Sequence, residues 1–147
     1  MQIAPLPDAL RPQAVALWAA GGLTRPWNDP EADLARALSG PSSTVLAAVA
    51  GEELVGTVMV GHDGHRGWVY YLAVDPDRRG AGAGCALMAA AEAWLAERDI
   101  PKVQLMVRGD NAEVVGWYES LGYADQGVVV LGRFLDDDLQ RLRQGPP

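Results

Sequence analysis

Six residues constrain this chain more than any others: Arg79-Gly80-Ala81-Gly82-Ala83-Gly84, which connect a strongly apolar run to a helix-like stretch. Three glycines at alternate positions are more than a tight strand-to-helix turn requires. With no Cβ in the way, a backbone can come close to a ligand there. The N–H groups that open a helix have no intrahelical partner, and with the helix dipole they favour an anion, a pyrophosphate above all. Arg78 and Arg79 supply positive charge beside that loop. The chain holds 17 glycines, and most of the others fall where helices and hairpins end. Gly61, Gly64 and Gly67 shape a turn leading into the apolar run.

The flanking pattern supports an α/β fold. A helix is predicted over 8–20, with Leu10, Ala14, Leu17 and Trp18 on one side, Asp8 as its N-cap and Gly21-Gly22 as its stop. A second helix is predicted over 29–38, with Pro30 at its first position. A loop carrying Trp27 joins the two. Strands are predicted over 44–49 and 54–60, around a Gly51-Glu52-Glu53 hairpin. The strand over 68–74 is apolar on both faces and is therefore placed centrally. A helix over 82–98, a strand over 103–107 and a short helix over 112–121 follow. Strands over 128–131 and 134–135 close the sheet. This order gives three sequential antiparallel strands followed by a parallel crossover in a mixed sheet. There is no internal repeat or long linker, and the tail 144–147 is expected to fray.

Composition narrows the classes further. A chain of 147 residues is expected to form a single domain over 1–147. With 49% hydrophobic and 21% charged residues it reads as globular rather than disordered. Its one cysteine, Cys85, cannot form an internal disulfide and reads as a small packed hydrophobe. No apolar run reaches the ~18 residues of a membrane span, and the N-terminus lacks the layout of a signal peptide. A reduced, cytoplasmic protein is the expectation, with no membrane partner. The net charge of -7 argues against nucleic acid, which would call for a basic face.

Phosphate loops of two common kinds do not fit. A P-loop needs Lys-Ser/Thr after its last glycine, but Gly84 is followed by Cys85 and the only lysine is Lys102. A dinucleotide fingerprint needs Gly or Ala three residues after its second glycine. Counted from Gly80 that position is Cys85, and counted from Gly82 it is Leu87. Residues 79–84 do fill every fixed position of an Arg/Gln-x-x-Gly-x-Gly/Ala loop, and in this the chain resembles the GNAT superfamily of N-acetyltransferases. The run Tyr71-Leu72-Ala73-Val74-Asp75-Pro76-Asp77-Arg78 resembles that family's fourth strand and exit turn. Asn111, Tyr118 and Gly122-Tyr123 match its Asn…Tyr…Gly-Phe/Tyr segment. Residues 25–30 and 63–67 are similar to the small bacterial YpeA-like branch, which implies kinship but no substrate.

The resemblance implies a mixed, mostly antiparallel sheet of about six to seven strands with about four helices, splayed at the fourth strand. It implies acetyl-CoA as acyl donor, with no metal. Backbone groups of Leu72, Ala73 and Val74 would pair with the pantetheine arm. The Val74 N–H would stabilise the oxyanion. The amides of Arg79, Gly80, Ala81, Gly82, Ala83 and Gly84 would hold the pyrophosphate. Asn111 would contact the pantetheine, although Asn is also a favoured helix N-cap. Tyr118 would protonate the leaving thiolate, although its spacing also suits a core aromatic. Relatives often carry a glutamate on the fourth strand, where this chain has Tyr70 and Tyr71. A proton acceptor is then sought among His62, Asp63, His65 and Asp29, with Asp63 and His65 first. An Asp-Gly pair is also a plain hairpin turn. His62 and His65 have no third clustered metal ligand. Trp27, Asn28 and Tyr70 are the expected substrate contacts.

An N-acetyltransferase acting on a primary amine of a small molecule or peptide is therefore expected. A non-catalytic acyl-CoA-binding sensor or interaction module, or another kind of nucleotide binder, are the alternatives. The acceptor is not named by the sequence. The late strands present an edge through which a homodimer can pair.

Overall fold

The computed structural model describes residues 1–145. They fall into two compact units, one comprising Met1–Thr24 and Asp29–Leu105, the other Arg25–Asn28 and the described residues from Met106 onward. Pro146 and Pro147, the end of the tail expected to fray, lie outside the described residues.

The first unit holds β1 (Gln2–Pro5), α1 (Arg11–Ala20), α2 (Pro30–Leu38), β2 (Ser43–Ala50), β3 (Glu53–His62), β4 (Gly67–Val74), α3 (Ala83–Ala96) and β5 (Val103–Leu105). The five strands form one sheet in the order β1-β2-β3-β4-β5. The first four run antiparallel to their neighbours, and β5 is parallel to β4. Gly51 turns the β2–β3 hairpin with a φ of 64°, a left-handed value that glycine supplies without strain. The second unit holds α4 (Ala112–Ser120) and α5 (Asp137–Gln144).

Alternation along β2 and β3 separates the two faces of the sheet. Val45 and Ala47 pack with Ala14 and Trp18 of α1 and Leu34 and Ala37 of α2. On the opposite face, Ala83, Leu87, Ala91 and Leu95 recur every four residues and bury one stripe of α3. A Cβ added at Gly56 would meet Leu87, and one added at Gly67 would collide with Leu95 Cδ1. The strand glycines thus mark where α3 sits close on the sheet.

Several elements differ from expectation. The described residues contain five strands and five helices, rather than six to seven strands and about four helices. β1 has no alternating pattern and ends in a proline, which suits an edge strand but hides it from a periodicity reading. Residues 128–131 and 134–135 form no strand. Val129 is 87% exposed and Leu131 92%, so β-branched residues there have no partner strand among the described residues. The pairing edge proposed for those strands is therefore absent from this part of the chain. α5 begins at the Asp136-Asp137-Asp138 run because the Asp136 carboxylate accepts from the N–H groups of Asp138 and Leu139. Asp8 does not cap α1. It lies in a 3-10 turn and pairs with Arg11 at 3.0 Å. Cys85 is exposed, because it falls outside the buried stripe of α3. No helix among the described residues is long and apolar enough to cross a membrane.

Candidate functional site

The sheet opens at β4. β5 pairs only with Gly67, Trp68 and Val69. Past that point the edge of β4 has no partner strand among the described residues. Opposite, Met59 pairs with Tyr70 and Thr57 with Ala73, so Tyr71 and Leu72 together face Val58 in a bulge. Tyr71 takes a φ of 50°, which is uncommon for a bulky residue.

Three elements hold that strained residue. The Tyr71 ring stacks on Trp18 of α1 with centroids 4.0 Å apart. Its hydroxyl donates to Asp33 Oδ2 of α2 at 2.8 Å. Its carbonyl accepts the Thr57 hydroxyl from β3 at 3.0 Å. Burial, then the hydrogen bond and charge of Asp33, push the Tyr71 phenol well above its ordinary ionisation range.

Beyond the bulge the ladder fixes which way the amides point. The Asp75 N–H donates to the Val55 carbonyl at 2.8 Å, and Gly56 lies opposite Val74. Antiparallel pairs alternate between bonded and non-bonded, so Val74 and Gly56 are the non-bonded pair. The Val74 N–H therefore faces the open edge, while the backbone groups of Ala73 face β3. Chain direction then leads from this edge into the glycine loop.

A 3-10 turn over Pro76–Arg78 is capped by Asp75, whose carboxylate accepts from the Asp77 N–H at 3.0 Å. Arg79 is extended and exposed, and Gly80 and Gly82 take φ values of 85° and 84°. A Cβ at either glycine would meet nothing within 4 Å. Their need is conformational, and the space above them is open. Gly82 caps α3 with no side-chain hydrogen bond, so the first N–H groups of α3 lack partners within the helix. These residues fit a pyrophosphate. Arg78 is engaged by Glu53 in an ion pair, which leaves Arg79 as the loop's nearer positive charge.

Of the expected proton acceptors, Asp63 and His65 lie in the β3–β4 turn. Asp63 Oδ1 accepts from the N–H groups of His65 at 2.9 Å and Arg66 at 2.8 Å. These bonds hold its carboxyl below the ordinary carboxylate value. Tyr70, 43% exposed on β4, has its phenol pushed up by burial and by the Asp63 charge. Asp63 and Tyr70 are thus brought to one end of the sheet. His62 lies with its ring 6.1 Å from Trp94, and Asp29 caps α2 by accepting from the Ala32 N–H. No group of three or more metal-ligating side chains occurs among the described residues.

In the second unit, Asn111 caps α4 by accepting from the Val114 N–H at 3.3 Å. Tyr118 sits edge-on to Trp117 and Tyr123 at 4.9 and 5.7 Å. Burial pushes its phenol above the ordinary value. Trp27 lies under the Arg143 guanidinium at 4.9 Å, and Asn28 is exposed. The sequence reading passed over Thr57, Trp18 and Asp33 as parts of the site. The one available signal was Thr57, a lone hydroxyl in the otherwise apolar run 54–60.

A sheet that opens at a bulged strand and runs into a glycine loop at a helix start offers an edge for an extended ligand and an anion site at its end. The Acetyltransferase (GNAT) family profile matches residues 12–123, and the chain belongs to that family. It is similar to an acetyltransferase of Sodalis glossinidius, at 46% identity over 86% of this chain and 89% of that one. An acetyltransferase of Pectobacterium atrosepticum is 47% identical over 84% and 88%. Among solved structures, AAC(6')-Iy in complex with a bisubstrate analogue, CoA-S-monomethyl-acetylneamine, shares the fold with a TM-score of 0.76. It is 17% identical, with 90% of this chain and 97% of that one covered. An aminoglycoside acetyltransferase from an uncultured soil metagenomic sample, in complex with sisomicin, gives a TM-score of 0.74 at 20% identity, covering 92% and 96%. The chain is an acetyltransferase.

Proposed function

We propose that this acetyltransferase moves the acetyl group of acetyl-CoA directly to a primary amine, with both substrates bound together. The observation that carries this is the outward Val74 N–H on an unpaired strand edge, continuous in sequence with the open Gly80–Gly82 loop. Acetyl-CoA supplies a thioester, whose carbonyl is open to attack by an unprotonated amine.

The chain's residues divide the work as follows. The edge formed by Leu72, Ala73 and Val74 binds the pantetheine as an added strand, with Ala73 tying that edge to β3. The N–H of Val74 stabilises the oxygen that gains charge. Amides from Arg79 through Gly80, Ala81, Gly82, Ala83 and Gly84 hold the pyrophosphate. Asn111 contacts the pantetheine through its side-chain amide. Tyr118, a phenol that carries its proton at neutral pH, gives that proton to the departing sulfur.

The incoming ammonium loses its proton along a water chain to the turn carrying Asp63 and His65, which joins β4 at Gly67, about 20 Å of strand from Val74. Asp63 is committed to that turn and held in its weakly basic form, so the acceptor assigned is the His65 imidazole. Trp27, Asn28 and Tyr70 contact the amine. The net charge of -7 favours a cationic acceptor. We place the protein in the cytoplasm, as one catalytic domain.

Thiol release from acetyl-CoA, measured against a panel of amines, tests this. Tyr118→Phe is expected to lower turnover about 10²- to 10⁴-fold. Binding of acetyl-CoA without turnover, unchanged by Tyr118→Phe, would instead mark a sensor or interaction module.

A further inference from the structure

We propose that Thr57 is a positioning residue for acetyl transfer, acting through the β4 bulge on the direction of the Val74 N–H. This rests on the acetyl-transfer reading above. The Trp18 Nε1–H donates to Thr57 Oγ1 at 2.8 Å, and the Thr57 hydroxyl donates to the Tyr71 carbonyl at 3.0 Å. An indole N–H only donates, and a hydroxyl has a single proton. With that proton on Tyr71 and a lone pair on Trp18, the Thr57 hydroxyl has one orientation. Both Trp18 and Thr57 are fully buried, so water cannot replace either link.

The chain closes on itself, because the Tyr71 ring stacks on the same Trp18 that donates to Thr57. Asp33 then ties down the Tyr71 hydroxyl from α2. Carbonyl, ring and hydroxyl of one residue are thus fixed from β3, α1 and α2. That residue has a φ of 50° and lies three positions before Val74. A bulge re-aims the strand that follows it. Stabilisation of a developing charge depends on where the donor already points. Thr57 touches no proposed substrate atom and works through Tyr71 alone.

The test uses the full-length chain and three variants. Thr57→Val keeps the shape of the side chain and cuts both hydrogen bonds. Thr57→Ser keeps the hydroxyl. Trp18→Phe keeps a stacking ring and deletes the N–H, and it stands in should Thr57→Val fail to fold. Kinetics use acetyl-CoA with whichever of spermidine, kanamycin or a glycine-initiated peptide is turned over fastest. Thr57→Val is expected to lower kcat about 10- to 100-fold with KM for acetyl-CoA changed less than about threefold, and Thr57→Ser to restore kcat. In the free protein, the Val74 amide cross-peak in a ¹H–¹⁵N spectrum is expected to move in Thr57→Val and return in Thr57→Ser. A Val74 cross-peak unmoved by Thr57→Val, or by Trp18→Phe in its place, overturns the proposal. So does a loss carried by KM alone, or one that serine does not rescue. A wild-type chain that releases no thiol with any acceptor overturns the acetyl-transfer reading, and the positioning role falls with it.

Discussion

The Tyr71 hydroxyl donates to Asp33 Oδ2 at 2.8 Å, so a helix carboxylate anchors the residue that interrupts β4. Tyr71→Phe deletes that bond and is expected to cost about 1–2 kcal/mol at neutral pH, read from the urea midpoint.

The same contact sets an alkaline limit. Tyr71 ionises well above its ordinary value of 10.0 in the folded chain, and Tyr70 and Tyr118 are raised as well. Above about pH 10 the unfolded chain releases protons that the folded chain retains. The folded state thus keeps the full contribution of these groups below that pH and loses it as pH rises further. Urea midpoints are expected to fall between about pH 10 and 11, less steeply in Tyr71→Phe. Equal slopes in the two proteins would show that Tyr71 does not set this limit.

Gly56 is expected to be irreplaceable for reasons that its strand pattern conceals. A Cβ there would lie 2.6 Å from the Ala73 carbonyl and 3.0 Å from Leu87 Cδ1. Gly56→Ala is expected to cost about 1–3 kcal/mol through overpacking, and to weaken acetyl-CoA binding because the displaced strand carries Val74. Gly67→Ala, which presses on Leu95 at the paired half of β4, is the control. It is expected to lower stability by a similar amount while leaving acetyl-CoA affinity nearly intact. Calorimetric titration beside thermal melts separates the two effects.

Much of this site was legible because local chemistry encodes it. Gly80 and Gly82 take left-handed backbone that the sequence spacing announces, and Asn111 and Asp29 occupy caps that their side chains favour. The β2–β3–β4 meander follows from Gly51 and the 61–67 turn. The bulge lock was not legible. Trp18, Asp33, Thr57 and Tyr71 lie on four different elements, and each by itself looks like an ordinary core or surface residue. β1 was missed because an edge strand of four residues carries no alternation. Residues 128–131 were read as strand because β-propensity describes a side chain's fit to a sheet without saying whether a neighbour exists.

Asn111 separates capping from ligand binding. Asn111→Ala is expected to cost about 1 kcal/mol by losing the cap on α4, whereas Asn111→Ser keeps that cap. Both variants are expected to weaken acetyl-CoA binding about five- to tenfold through loss of an amide hydrogen bond. A serine variant with wild-type affinity would leave Asn111 with the capping role alone.

Asp63 and His65 divide turn-making from proton transfer. Asn at position 63 retains an oxygen for the N–H groups of His65 and Arg66, while Ala does not. Asp63→Asn is expected to keep kcat/KM within about threefold, and Asp63→Ala to lower it by disordering the turn. Because the folded value of Asp63 lies below its ordinary 3.8, its stabilising effect holds above that pH and fades as pH falls through the lowered value. Asp63→Asn is therefore expected to remove part of the acid sensitivity of the fold without removing activity near neutrality. His65→Gln is expected to lower kcat/KM about 10²-fold or more. Measurement of kcat/KM at neutral pH for the wild type and both variants decides it. If Asp63→Asn rather than His65→Gln carries that loss, the carboxylate is the base and the imidazole only a neighbour in the turn.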